Sequence, residues 1–88
     1  MDVPSGWAEA GKTIQRTFGT GDFNAGVSFV VAIGRLADAA DHHPDILLTY
    51  PRVVVTLTTH DAGRVTEKDL RLAAEINRVW DERKSATA

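Results

Sequence analysis

Polar and apolar side chains alternate along Lys12-Thr13-Ile14-Gln15-Arg16-Thr17-Phe18, which is the period of a half-buried strand. Ile14, Arg16 and Phe18 share one face and Thr13, Gln15 and Thr17 the other, so Arg16 is an irregularity on the apolar side. A shorter strand is expected around Trp7 to Glu9, with Gly11 near the turn between the two. Gly19-Thr20-Gly21 breaks the alternation, and Asp22 is placed to cap a helix. From Phe23 to about Ala40 the period becomes helical, with Gly26, Phe29, Val30, Ile33, Leu36, Ala37 and Ala40 on one face. Gly34 weakens that helix by ~1 kcal/mol relative to alanine, a cost that close packing explains or the fold tolerates.

Pro44 closes the helical region. Ile46 to Tyr50 and Arg52 to Thr59 are rich in β-formers and separated only by Pro51, which reads as a tight hairpin. In the second run Val53, Val55 and Leu57 share one face, and Val54, Thr56, Thr58 and His60 share the other. A loop, Asp61 to Val65, leads to Thr66. Thr66 with Asp69 three residues on is close to a capping box and starts a last helix running to about Arg83. Leu70, Ala73, Ile76, Asn77 and Trp80 are its expected buried face, and Lys84 to Ala88 read as a loose tail. The order strand, strand, helix, strand, strand, helix predicts an α+β sandwich: an antiparallel sheet with both helices on one face. Residues 1–88 contain no internal repeat or linker and are expected to form one domain.

Composition adds mainly exclusions. Ten basic against twelve acidic residues give a formal charge of −2, so no general attraction to nucleic acid or anionic membrane is expected. No apolar run is expected to reach the roughly 20 residues of a membrane span, and the N-terminus lacks the pattern of a signal peptide. The chain has no cysteine, so no disulfide framework or thiolate metal site exists. A cytoplasmic protein is the expectation. A chain of this size also gains from association, so a homo-oligomer is expected.

The chemistry concentrates in the three histidines, all within His42–His60. If the hairpin turn centres on Pro51, His42 faces His60 and His43 faces Thr59, within about a residue of register. Pro44 ends regular pairing and holds His43 extended, so both neighbouring rings can address one pocket. Histidine exchanges protons near neutral pH, with an unperturbed pKa of about 6.5, and two or three around one pocket can divide acid and base work. Asp38, Asp41, Asp61 and Asp69 supply carboxylates that can orient imidazoles or accept a ligand's N–H groups. The bland readings are a helix-end charge for His42, surface positions for the adjacent pair, and a purely capping role for Asp69. Three histidines and an aspartate could hold zinc, but no spacing fixes two ligands on one face, so no metal is expected. Trp7, Phe18, Phe29 and Trp80 read as core or interface aromatics. No phosphate loop, no serine or cysteine nucleophile motif and no basic-aromatic surface is present.

At these residues the chain resembles the pterin-4a-carbinolamine dehydratases, also known as dimerisation cofactors of a homeodomain transcription factor. The pattern that carries the resemblance reads Asp38, His42-His43-Pro44, Tyr50, His60 and Asp69, within a stretch from Ala37 to Ala74 that looks like the family throughout. Thinner similarity continues upstream through Ile14, Arg16, Phe18, Asp22-Phe23 and Ala25. The resemblance implies a four-stranded antiparallel sheet with helices on one face. It also implies dehydration of a 4a-hydroxytetrahydropterin to the quinonoid dihydropterin, in tetrahydrobiopterin recycling. His42 and His60 are then the acid and base, and His43 binds and positions the pterin, with all three in the catalytic set. Pro44, Thr59, His60, Asp61 and Ala62 line the pocket, and Asp38, Asp41 and Asp69 support it. The pterin is substrate, no cofactor is implied, and family members are dimers or tetramers. Three departures stand out. The helix that usually opens the family is missing or vestigial before Trp7, Thr20 stands where an aromatic is common, and Pro51 replaces the usual Asn at the turn. The alternative is a non-catalytic dimerisation or assembly module that binds another protein. Retention of all three histidines favours the enzyme.

Overall fold

The two alternating stretches flanking the long helical segment come together as one sheet. The computed structural model describes residues 2–86 and contains β1 (Ala8–Ala10), β2 (Thr13–Gly19), α1 (Phe23–Ala40), β3 (Asp45–Thr49), β4 (Arg52–Leu57) and α2 (Glu67–Ala86). The strands lie in the order β1-β2-β4-β3, every neighbouring pair antiparallel, so pairing of β2 with β4 joins two hairpins. This is the α+β order expected from the pattern, and no helix precedes β1 among the described residues.

One sheet face carries the core. Ile14 and Phe18 of β2 and Val53, Val55 and Leu57 of β4 are covered by Phe29 and Ile33 of α1 and by Leu72, Ala73 and Ile76 of α2. Phe18 packs edge-on to both helices, with its ring centroid 4.8 Å from Phe29 and 5.2 Å from Trp80. Burying side chains of this size stabilises by roughly 1.5–3 kcal/mol each, which is what holds the two layers together. Arg16, the irregular residue of the alternation, is accommodated by polar partners at the edge of this core. Its guanidinium donates to Asn77 Oδ1 (2.6 Å) and to the Ser5 carbonyl (3.3 Å), and stacks 4.5 Å from the Phe18 ring centroid. Trp7 Nε1 donates to the same Asn77 oxygen at 2.8 Å, so one side chain of α2 ties down the entry to β1.

The helix signals act as read, with local corrections. Asp22 caps α1 by accepting from the Ala25 N–H at 2.7 Å. The buried stripe of α1 is Gly26, Phe29, Ile33 and Ala37, and Ala40, expected to join it, is exposed because the chain has already left the sheet there. Gly34 meets nothing that a Cβ would touch, so its cost is tolerated, whereas a Cβ on Gly26 would lie 2.6 Å from Leu48 Cδ1. By length and composition α1 does reach what a membrane crossing needs, contrary to expectation, but its buried stripe lies on the sheet. In α2 the buried stripe centres on Asp69, Leu72, Ala73 and Ile76, with Leu70 and Trp80 only partly covered. That helix also continues to Ala86, past the expected end at Arg83, while Thr87 and Ala88 of the expected tail lie outside the described residues.

The hairpin differs from expectation by one residue. Thr49 pairs with Arg52 and Asp45 with Thr56, so the turn is the two-residue Tyr50-Pro51 rather than one centred on Pro51. Continued along the arms, this register sets His42 opposite Thr59 rather than His60. Regular pairing in any case stops at Asp45 and Leu57, so His60 lies beyond the strand, not on its face.

Candidate active site

Three chain reversals gather at the open end of the β3–β4 hairpin. At the first, α1 ends on Asp41 in the left-handed conformation (φ 50°, ψ 42°), which an aspartate tolerates better than most residues. The Asp41 N–H donates to the carbonyls of Ala37 and Asp38, and the His42 N–H donates to Ala37, which closes the helix end. The sharp stop delivers His42 and His43 just before Pro44, which holds the chain extended into β3. At the second reversal the Thr59 carbonyl accepts from the N–H groups of Ala62 (3.1 Å) and Gly63 (2.9 Å), with Gly63 at φ 66°. This tight turn presents His60 and Asp61 outward. The third is the start of α2, which brings Lys68 and Asp69.

Asp69 is the polar centre of the site. It is fully buried, and its carboxylate meets only donors: His42 Nε2 (2.5 Å) on one oxygen, and the Thr59 hydroxyl (2.7 Å) and Thr66 N–H (2.8 Å) on the other. Since the Thr59 hydroxyl proton points to Asp69, the Thr66 hydroxyl donates to Thr59 Oγ1 (2.6 Å). The capping box therefore forms by half. Asp69 takes the Thr66 N–H as expected, but Thr66 turns its own hydroxyl to Thr59. Asp69 is both a helix cap and a second-layer support for an imidazole. His42 is 13% exposed and held with its Nε2–H on the carboxylate, which leaves Nδ1 free of any partner among the described residues. An imidazole oriented in this way has one nitrogen available as a base, and the carboxylate stabilises the cation formed when that nitrogen takes a proton.

A cavity of about 270 Å³ is lined by Asp41, His42, His43, Thr59, His60, Asp61 and Lys68. The structure thus brings all three histidines to one wall, although not through the cross-strand pairing expected for His42 and His60. His43 is exposed and its Nε2 lies 3.0 Å from Asp38 Oδ1, so Asp38 supports it from outside the cavity. Pro44 and Ala62, expected at the wall, do not line it. Pro44 leads into β3, and Ala62 is exposed on the turn, where its N–H donates to the Thr59 carbonyl. The sequence reading gave Thr66 only a capping role and Lys68 none. Lys68 sits one residue before Asp69 in the first turn of α2, and that adjacency is the signal that could have singled it out. Among the described residues no three histidine or acidic side chains cluster as a metal site requires.

A four-stranded antiparallel sheet backed by two helices, with three histidines around a cavity at the hairpin end, defines a recognisable class of small α+β domain. The family model described as Pterin 4 alpha carbinolamine dehydratase matches residues 1–79, and the chain belongs to that family. A relative from Roseiflexus sp. (strain RS-1), named "Putative pterin-4-alpha-carbinolamine dehydratase", is 44% identical over 75 residues, covering 85% of this chain and 81% of its own. The crystal structure of a transcriptional coactivator/pterin dehydratase from Brucella melitensis superposes with a TM-score of 0.80 at 35% identity, over 85% of this chain and 82% of that one. A pterin dehydratase-like protein identified as a RuBisCO assembly factor in the alpha-carboxysome shares the fold (TM-score 0.69). It is 24% identical over 82% of this chain and 86% of its own.

Proposed function

We propose that this protein dehydrates a pterin-4a-carbinolamine, in the cytoplasm, as a step in tetrahydropterin recycling. The observation that carries the reading is the cavity wall shared by His42, His43 and His60, with His42 held from behind by buried Asp69. The reaction breaks the C4a–O bond and forms a double bond from C4a to the neighbouring ring nitrogen. That nitrogen gives up its proton to a base, and the hydroxyl leaves as water after receiving a proton from an acid. His42 is the base, through Nδ1, because Asp69 occupies Nε2 and stabilises the resulting imidazolium. His60 is the acid at the departing oxygen, and His43, steadied by Asp38, positions the ring. Thr59 and Asp61 complete the pocket, with Asp41 and Asp61 able to accept the N–H donors of the pyrimidine edge. No resident cofactor enters this scheme.

The test is dehydration of freshly generated 4a-hydroxytetrahydropterin by the wild type, His42→Ala and His60→Ala. Each substitution is expected to lower kcat by about 100-fold or more, the scale of one lost acid or base. A wild type no faster than buffer overturns the enzyme reading and leaves a protein-binding module in its place. Full activity in either variant overturns the role given to that histidine.

A further inference from the structure

Beside the histidine cavity runs a second one, about 290 Å³, between the end of α1 and the start of α2. Leu36, Ala39, Ala40 and Leu72 form its apolar lining, and Lys68, Arg71 and Glu75 its charged one. His42 and Lys68 line both cavities, so the two meet at these side chains. Their charges differ. The histidine cavity carries Asp41 and Asp61 against Lys68, whereas the groove carries two cations against Glu75. Arg71 and Glu75 are each paired along the helix, with Glu67 (3.3 Å) and Arg78 (2.9 Å). Lys68 has no hydrogen-bond or ion-pair partner among the described residues, so its ammonium is available at the junction.

Resting on the pterin reading above, we propose that the groove is a subsite for the substituent on the pterin's pyrazine ring. Lys68 is the residue that makes it prefer an anionic substituent, a carboxylate or phosphate on a short arm. A pterin is itself asymmetric: its pyrimidine edge offers N–H donors, which suit Asp41 and Asp61, and its other end carries the substituent. With the donor edge on the acidic side, the substituent points past His42 into the groove. There its carbon arm meets alanine and leucine side chains, and its terminal charge meets Lys68. An uncharged short substituent gains only the apolar contact.

Fluorescence titration of the full chain with a pterin carrying a 6-(2-carboxyethyl) arm and with 6-propylpterin tests this. The wild type is expected to bind the carboxylate roughly fivefold more tightly, the scale of one exposed ion pair. Lys68→Met brings the ratio of the two affinities to about one, and raised salt lowers it in the wild type alone. Equal affinities in the wild type, or a preference that survives Lys68→Met, overturn the subsite while leaving the pterin reading intact. Failure of both pterins to bind overturns the pterin reading and the subsite together.

Discussion

Asp69 links stability to chemistry at the scale of a single residue. Its carboxylate receives three donors: His42 and Thr59, which both line the cavity, and the Thr66 N–H at the helix start. A carboxamide has one accepting oxygen and a donating nitrogen, so Asp69→Asn either sets one donor against another or forces His42 into the tautomer that accepts at Nε2 and carries its proton on Nδ1. Urea unfolding is expected to show a loss of about 2 kcal/mol, the cost of leaving a buried polar group unmatched, together with a fall in kcat. An unchanged midpoint would show that the buried network matters less than its geometry implies. The substitution His42→Ala leaves the same carboxylate buried with one partner fewer, so its activity is properly measured with the folded fraction monitored alongside. The convergence of the three histidines was legible only in outline: chain separation along the hairpin brings 42–43 and 59–60 to one end, but the facing His42–His60 pair does not form, because β4 ends at Leu57 and the turn after it sets His60. Asp69 was legible as one of four carboxylates able to orient an imidazole, but its pairing with His42 in particular was not. It depends on how α2 is rotated over the sheet, and the apolar pattern placed that rotation toward Leu70 instead of Leu72. Lys68 was missed for the same reason.

Two glycines of α1 separate helix propensity from packing at the scale of one element. Gly34 has open space where a Cβ would stand, so Gly34→Ala is expected to stabilise by about 0.5–1 kcal/mol. Gly26 lets the helix approach Leu48 of β3, and the added methyl of Gly26→Ala would displace that side chain. Overpacking of this sort costs about 1–3 kcal/mol, enough to cancel the gain in propensity. Thermal unfolding should therefore rank Gly34→Ala above the wild type and clearly above Gly26→Ala; the reverse order would mean that Leu48 rotates away freely. The elements themselves were readable because each has a clean period: two in β2 and β4, 3.6 in α1. Their ends were less so. The two-residue Tyr50-Pro51 turn moved the register by one, and Val65, read as part of a loop, is buried in the core just after the Thr59–Arg64 bridge closes the turn.

At the scale of the whole molecule, one face of α1 remains uncovered. Phe23, Val27 and Val31 recur every four residues and are 47%, 39% and 50% exposed, an apolar row on a helix whose other side is core. We expect sedimentation velocity to show a dimer or larger species, and Val31→Asp to shift it toward monomer; a monomeric wild type would remove the oligomer expectation. The cavity wall is drawn from parts of the chain that share little local sequence: the end of α1 at 41–43, the turn at 59–61 and the first turn of α2 at Lys68. None of these segments can hold its place unless the helices are docked on the sheet. Occupancy of the cavity is therefore a thermometer of the folded state. A pterin at about a hundred times its Kd should add about 2.7 kcal/mol and raise the Tm by roughly 15 °C. A ligand that merely adhered to one loop would leave the melting curve where it was.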